Sequence, residues 1–374
     1  MAGIYIHIPF CKKACNYCNF HFSVNQQALP SMVDAIIREA QLNQDYITEP
    51  IETIYFGGGT PSLLKNDQLT SIMSTLQDTF VIASNPEVTL EANPDDITEM
   101  KLQAWKEAGI NRLSIGIQSF FEEDLIWMGR AHSADQALNC IQLAQHAGFT
   151  NLSIDLIYGG PTLSDEHWNQ NLAKAIELNI PHLSCYALTV EPKTVLAKKI
   201  NEHILEDIDV EKQSTHFNML LTKTAEANYE HYEISNFALT GKRSKHNANY
   251  WSGKHYLGLG PAAHSFNSVS RQWNIAHNTL YIQAIQQGTI PFEIEQLTKN
   301  QQINEYIMTA LRTMEGIDLV RLTEIGNEEV VFRLKEEAAP FIQDERLQHT
   351  DNYIRITHKG KFFADGIAAA LFQL

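Results

Sequence analysis

The sequence predicts an α/β protein, a partial (β/α)6 barrel followed by a C-terminal, mainly α, winged-helix-like domain. Three observations carry that expectation. Short β-rich runs alternate with longer helical patterns through the first half of the chain, polar residues gather at the C-terminal ends of those runs, and helical periods take over from about residue 300.

Ile4 to Ile8, Thr53 to Phe56, Glu87 to Ala92, Arg112 to Gln118, Asn151 to Tyr158 and His182 to Thr189 read as buried strands. Between them lie helices with plausible caps: Ser31 before Met32 to Ile37, Ser133 before the stretch ending at Gly148, and Ser164 before the stretch holding Trp168. Strand, helix, strand in this order implies parallel strands joined by right-handed crossovers. Six repeats are too few to close an eight-fold barrel, which leaves a partial barrel or an open doubly wound sheet. The polar residues favour the partial barrel. Cys11 follows the first strand and Gly57-Gly58-Gly59-Thr60 the second; Glu91 ends the third, Gln118 ends the fourth, and Asp155 lies toward the end of the fifth. In parallel α/β folds that rim is the active face.

From 236 to 266 the chain is rich in Gly, Asn and aromatics without a clear period, and reads as an ordered functional loop. After a helix near Tyr281, residues 300–314 and 328–342 look helical, 353–356 looks like a strand, and a last apolar helix follows. The expected organisation is therefore a barrel over 1–235, a ligand-facing linking region over 236–299 and a C-terminal domain over 300–374. Winged helices often bind DNA, but a formal charge of -16 repels polyanions, so no nucleic acid partner is expected.

No apolar run reaches the roughly 18 residues of a membrane span, and the first ten residues lack the pattern of a secretory signal. A cytoplasmic protein is expected. Of five cysteines, three fall within eight positions, which suits a metal site in a reducing compartment; Cys140 and Cys185 read as small buried hydrophobes. Lys12 and Lys13 would be solvated, or a small positive spot for an acidic electron donor. Homodimerisation through a local apolar patch stays open.

Cys11-Lys-Lys-Ala-Cys15-Asn-Tyr-Cys18 is a C-x3-C-x2-C loop set directly after a strand. Three thiolates can hold a 4Fe-4S cluster and leave one iron free for another ligand. A zinc site completed by His21, or plain loop cysteines, would use the same residues. The run Gly57-Gly-Gly-Thr-Pro-Ser62 has no Walker lysine and by itself is a turn.

Taken together, Tyr5-Ile-His-Ile-Pro-Phe-Cys11 with its C-x3-C-x2-C loop, Tyr55-Phe-Gly-Gly-Gly-Thr-Pro-Ser62, Ser114-Ile-Gly-Ile-Gln-Ser119, Met128-Gly-Arg-Ala-His-Ser133 and His246-Asn-Ala-Asn-Tyr-Trp251 resemble the radical S-adenosylmethionine (SAM) superfamily. Within it they resemble the coproporphyrinogen dehydrogenase-like branch. The resemblance implies a 4Fe-4S cluster on Cys11, Cys15 and Cys18 whose open iron chelates SAM and whose electron cleaves it to a deoxyadenosyl radical. It further implies that Gly58, Gly59 and Thr60 approach the methionyl amine, that Arg130 forks the SAM carboxylate, and that Gln118, Glu91 and Asp155 hold the amine and ribose hydroxyls. Tyr5 and Tyr17 match positions lying against cluster and SAM.

Two departures shape the function expected. The dehydrogenase has a fourth cysteine where Phe20 stands, and a long arm before its cluster loop, whereas here the first cluster cysteine is residue 11. Both features are similar to the HemW branch of heme chaperones. That resemblance implies heme as ligand, with His246 to Trp251 as its contact; His255 and His264, close by in sequence, are alternative ligands or ordinary surface histidines. It also implies heme-accepting proteins such as respiratory enzymes as partners, and an electron donor such as a flavodoxin or ferredoxin. The competing expectations are an oxygen-independent coproporphyrinogen III dehydrogenase, or another tetrapyrrole-modifying radical SAM enzyme, and a binding module that does not use SAM.

Overall fold

The structure, a computed structural model, describes residues 2–373. Six parallel strands pair in chain order: β1 (Ala2–Ile8), β2 (Ile51–Gly58), β3 (Ile82–Ala92), β4 (Arg112–Gln118), β5 (Leu152–Tyr158) and β6 (His182–Ala187). Beyond β6 the sheet continues antiparallel through β8 (Asn236–Ala238) to β7 (Glu230–Glu233). Beyond β1 it continues through β9 (Tyr256–Leu259), parallel to β1, then antiparallel through β10 (His264–Phe266), β11 (Ser270–Asn274) and β12 (Phe292–Gln296). The two ends of this twelve-stranded sheet do not pair, so the barrel is partial and open.

Alternation along the strands explains the architecture. Val88, Leu90, Leu113, Ile115, Ile154, Leu156 and Leu183 belong to one apolar core with Ile36, Leu76, Leu102, Ile141 and Leu172 of the crossover helices. Their neighbours in sequence, Glu87, Thr89, Glu91, Arg112, Ser114, Ser153, Asp155, His182 and Ser184, therefore share the opposite, concave face. A parallel strand covered by helices is usually apolar on both faces. Here one face is polar, so this barrel encloses chemistry as well as packing.

Ser133 and Ser164 cap helices Ala134–His146 and Asp165–Glu177, accepting from Gln136 N and His167 N. Ser31 does not cap its helix. That helix runs Leu29–Leu42, because Pro30, with φ already fixed and no N–H to satisfy, suits its first turn and draws the start forward. The stretch 236–266 is likewise not a loop. It forms β8, the helix Lys245–Trp251, β9 and β10; strands of three or four residues are too short to display a period.

A second apolar cluster, including Ile307, Leu322, Leu334, Leu347, Ile354 and Leu371, forms the C-terminal unit. It comprises helices Lys299–Leu311, Leu319–Ile325, Glu328–Gln343 and Ala364–Ala370, with a small antiparallel sheet of β13 (Ile317–Asp318), β14 (Leu347–Thr350) and β15 (Tyr353–Ile356). Among the described residues no helix is long and apolar enough to cross a membrane.

Candidate functional site

The cysteine loop leaves β1 at the rim of the sheet and is held by backbone bonds to its surroundings. Cys11 N donates to Ser23 O (3.0 Å), Asn16 N to Met128 O (3.0 Å) and Leu196 N to Asn16 O (2.9 Å). All three loop thiols are partly exposed and free of disulfides. Burial pushes the Cys11 thiol up to about 11, against the pull of a hydrogen bond with Thr60 and the charge of Arg130; burial raises Cys18 too. Thiols so disfavoured as anions need a strong positive partner to become ligands, which iron would supply.

Arg130 is the hub of the rim. Its Nη2 donates to Asn93 Oδ1 (2.7 Å) and Gly116 O (2.8 Å), and its Nη1 reaches Cys15 Sγ at 3.4 Å. Nε is buried without a partner, as is Oε1 of Gln118, a residue held at a left-handed φ of 68°. Glu91 accepts from Tyr55 Oη (2.8 Å) and Gly58 N (3.2 Å). Asp155 accepts from Ser114 Oγ at 3.4 Å. Burial, then their mutual charge, lifts Glu91 to about 7; burial lifts Asp155 to about 6, with Arg112 opposing it.

Gly58 sits at φ +100°, where a Cβ would fall 2.4 Å from the His7 ring, so this turn needs glycine. Its N–H serves Glu91, while Gly59 N donates to Ile8 O (2.9 Å) and Thr60 Oγ1 accepts from Asn93 Nδ2 (3.2 Å). The glycine donors are thus spent inside the protein, and an amine at this turn would meet acceptors, Glu91 first among them. Tyr5 Oη meets His7 Nδ1 at 3.2 Å, and Tyr17 packs in a small apolar cluster with Met128 and Leu196, its hydroxyl raised by burial against the pull of Arg130.

These residues fit the cofactors that the loop and rim suggest. Two unpartnered buried polar atoms, on Gln118 and Arg130, face a site that also holds two carboxyls. An amino acid with a ribose offers the complementary ammonium, carboxylate and hydroxyls. The three thiols share one loop, yet among the described residues no three His, Cys, Asp or Glu side chains converge on a single ion. A cubane takes each thiolate on a different iron, whereas zinc needs all ligands about one point. His21, the expected fourth zinc ligand, instead bonds Asn278 Oδ1 through Nε2 (2.7 Å).

One expectation is corrected at this rim. Lys12 is no free cation for a partner, because its Nζ pairs with Asp95 (2.7 Å) and Asp96, and Lys13 Nζ donates to Arg130 O at 3.1 Å. His246 is not at the rim at all. Its ring lies over Gly3 and Thr53, near the N-terminal ends of β1 and β2, roughly 16 Å of strand from the cysteine loop. Nδ1 bonds Thr53 Oγ1 (2.8 Å) and Nε2 bonds Tyr250 Oη (2.9 Å); the ring stacks on Tyr55 at 5.0 Å. Burial holds it neutral, down at about 3. The helix carrying it is anchored by Glu87, whose carboxylate accepts from Lys245 N (3.2 Å) and His246 N (3.0 Å). His246 is the floor of the barrel, with both ring nitrogens hydrogen-bonded.

Sequence reasoning passed over Asn93 and Arg112. Asn93 ties Arg130 to Thr60, and its signal was its place two residues beyond Glu91 at a strand end. Arg112 stands fully buried on the concave face, with Nε and Nη1 unpartnered; its charge bears on Glu91, Asp155 and His246.

Comparison with known proteins agrees with this geometry. The family model of the Radical SAM superfamily matches residues 5–175, and that of the HemN C-terminal domain matches 297–363. The chain is 31% identical to the heme chaperone HemW of Bacillus subtilis (strain 168), covering 99% of each protein, and 31% identical to that of Escherichia coli (strain K12), covering 98% of this chain and 96% of the relative. It is 36% identical to mouse radical S-adenosyl methionine domain-containing protein 1, mitochondrial, over 70% of this chain and 60% of the relative. Among solved structures, coproporphyrinogen III oxidase (HemN) from Escherichia coli superposes with a TM-score of 0.85 at 21% identity, over 100% of this chain and 90% of that one.

Proposed function

The chain belongs to the HemW family of radical SAM proteins, and from that premise we propose that it is a heme chaperone of the cytosol that binds heme and passes it to acceptor proteins such as respiratory enzymes. The observation that carries the reading is the match over the whole chain to relatives named for that task, joined to an intact three-cysteine rim. Phe20, standing where the dehydrogenase has a further cysteine, favours this reading over porphyrinogen oxidation; its side chain is 66% exposed beside the cluster loop.

Cys11, Cys15 and Cys18 would hold a 4Fe-4S cluster with one iron open, and Glu91, Gln118, Arg130 and Asp155 would hold SAM. When bound, the pair supplies one-electron chemistry at the SAM sulfonium, with a flavodoxin or ferredoxin as donor. The chain's own part is electrostatic. Glu91 gives an acceptor for an ammonium within reach of the glycine turn, and Arg130 lies between that turn and the Cys15 sulfur, where a carboxylate meets a fork of N–H donors. Tyr5 and Tyr55, packed over the His246 floor, exclude water from below.

The test loads anaerobically reconstituted protein with heme and presents it to an apo acceptor, in parallel with incubation with SAM, reductant and coproporphyrinogen III. Transfer of heme with no protoporphyrinogen formed is the expected result; protoporphyrinogen formation would refute the reading.

A further inference from the structure

Building on the heme-chaperone reading, we propose that His264, and not His246, is the axial ligand of heme, held on the concave side of the sheet over β10 and β11. His246 has no free ring nitrogen. His255 pairs through Nδ1 with Glu49 Oε1 (2.7 Å) and through Nε2 with Ser268 Oγ (3.3 Å). His277 uses Nδ1 to accept from Leu280 N (3.3 Å) at the start of the helix Asn278–Gln286. His264 is exposed, and among the described residues neither of its ring nitrogens has a hydrogen-bond partner. A neutral imidazole with an open nitrogen is what ferric or ferrous heme requires.

Its place in the sheet points the same way. β10 pairs antiparallel with β9 at one point, Phe266 opposite Tyr256, and the chain at His264 crosses over β9: a Cβ on Gly258, which pairs with Tyr5 of β1, would stand 2.2 Å from His264 O. That Cβ would project from the same face as the Tyr5 side chain, the concave one, so His264 is carried over the concave side of the sheet. Trp273, opposite His264 on β11, lies with its ring centroid 6.0 Å away at 31° and offers an apolar platform for a macrocycle. Arg271, two residues along on the same face, covers Phe266 at 5.9 Å and pairs with Glu305 at 2.6 Å, while its Nε is buried and unpartnered. Imidazole, indole and guanidinium on one face match an iron porphyrin with carboxylate arms.

Ferric heme titrated into wild type, His264→Ala, His264→Met and His246→Ala, followed by visible absorption and EPR, decides the matter. Wild type should bind one heme with a nitrogen-ligated spectrum. His264→Ala should weaken binding about tenfold or more and lose that spectrum, with added imidazole restoring it, and His264→Met should change the ligand signature. His246→Ala, checked for fold by circular dichroism, should keep the wild-type spectrum. A wild-type spectrum in His264→Ala, or loss of ligation in folded His246→Ala, overturns the assignment of the ligand alone. Failure of wild type to bind heme overturns the chaperone reading as well.

Discussion

At the scale of single residues, most of the rim was legible because Cys11, Glu91 and Gln118 stand where strands end, although Asp155 stands at the middle of β5. The first three could be placed by counting to the ends of apolar runs, and Arg130 by its motif. His246 could not be so placed: its motif names residue types but not the end of the barrel that its helix closes, which depends on Glu87, Thr53 and Gly3 far away in sequence. The carboxyls of the rim make a prediction. Glu91 is held at about 7, above its ordinary 4.5, so the folded apo-protein keeps a proton that the unfolded chain has released. Stability should therefore be fully present at pH 4 and fall as pH rises through about 7, by roughly 3 kcal/mol at most for this group. Urea unfolding of apo-protein at pH 5 and pH 8 checks the sign, and Glu91→Gln should shrink the difference. An ammonium bound at Glu91 favours the ionised form, so SAM affinity should rise across the same interval. Isothermal titration at pH 6 and pH 8 should show tighter binding at the higher pH, and Glu91→Gln should both weaken binding and flatten that dependence.

At the scale of elements, the six parallel strands and their crossover helices were readable because each is long enough to show its period and, in two cases, its cap. The strands added at both edges were not, since three to five residues carry too little period, and Pro30 displaced the helix start read at Ser31. The helix Lys245–Trp251 is the element whose role changed most. It closes the barrel from below, and its imidazole fits only because Gly3 has no side chain: a Cβ there would stand 2.7 Å from Thr53 Oγ1 and 3.3 Å from the His246 ring. Gly3→Ala and His246→Ala should each cost about 2 kcal/mol, the first by crowding and the second by removing a packed ring and the hydrogen bonds it makes to Thr53 and Tyr250. Thermal unfolding should show both losses, while SAM binding at the opposite rim changes little. A stable His246→Ala protein would contradict the floor assignment.

At the scale of the whole molecule, the C-terminal unit has its own core, yet it is fastened to the barrel by charged and polar contacts around β7. Arg312 Nη2 lies 3.5 Å from Glu233, Ile234 N donates to Arg312 O (3.0 Å), and Lys361 Nζ meets His231 Nδ1 at 2.6 Å. Glu233 is only 2% exposed, so Arg312→Ala should leave a buried carboxylate short of its counter-charge and cost roughly 2 kcal/mol, with Glu233→Gln in the same chain recovering part of it. That fastening matters because Arg271 of the proposed heme face pairs with Glu305 of the C-terminal unit, tying the two bodies together beside the ligand. The cysteine loop and the rim are proposed to work as one site. The direct measurement is EPR of the anaerobically reconstituted, reduced protein before and after SAM is added, with iron and sulfide determined on the same sample. About four iron and four sulfide per chain, with a cluster signal that changes on SAM addition and is lost in Cys15→Ser, is the predicted result. Zinc in place of iron, or a cluster signal indifferent to SAM, would contradict it.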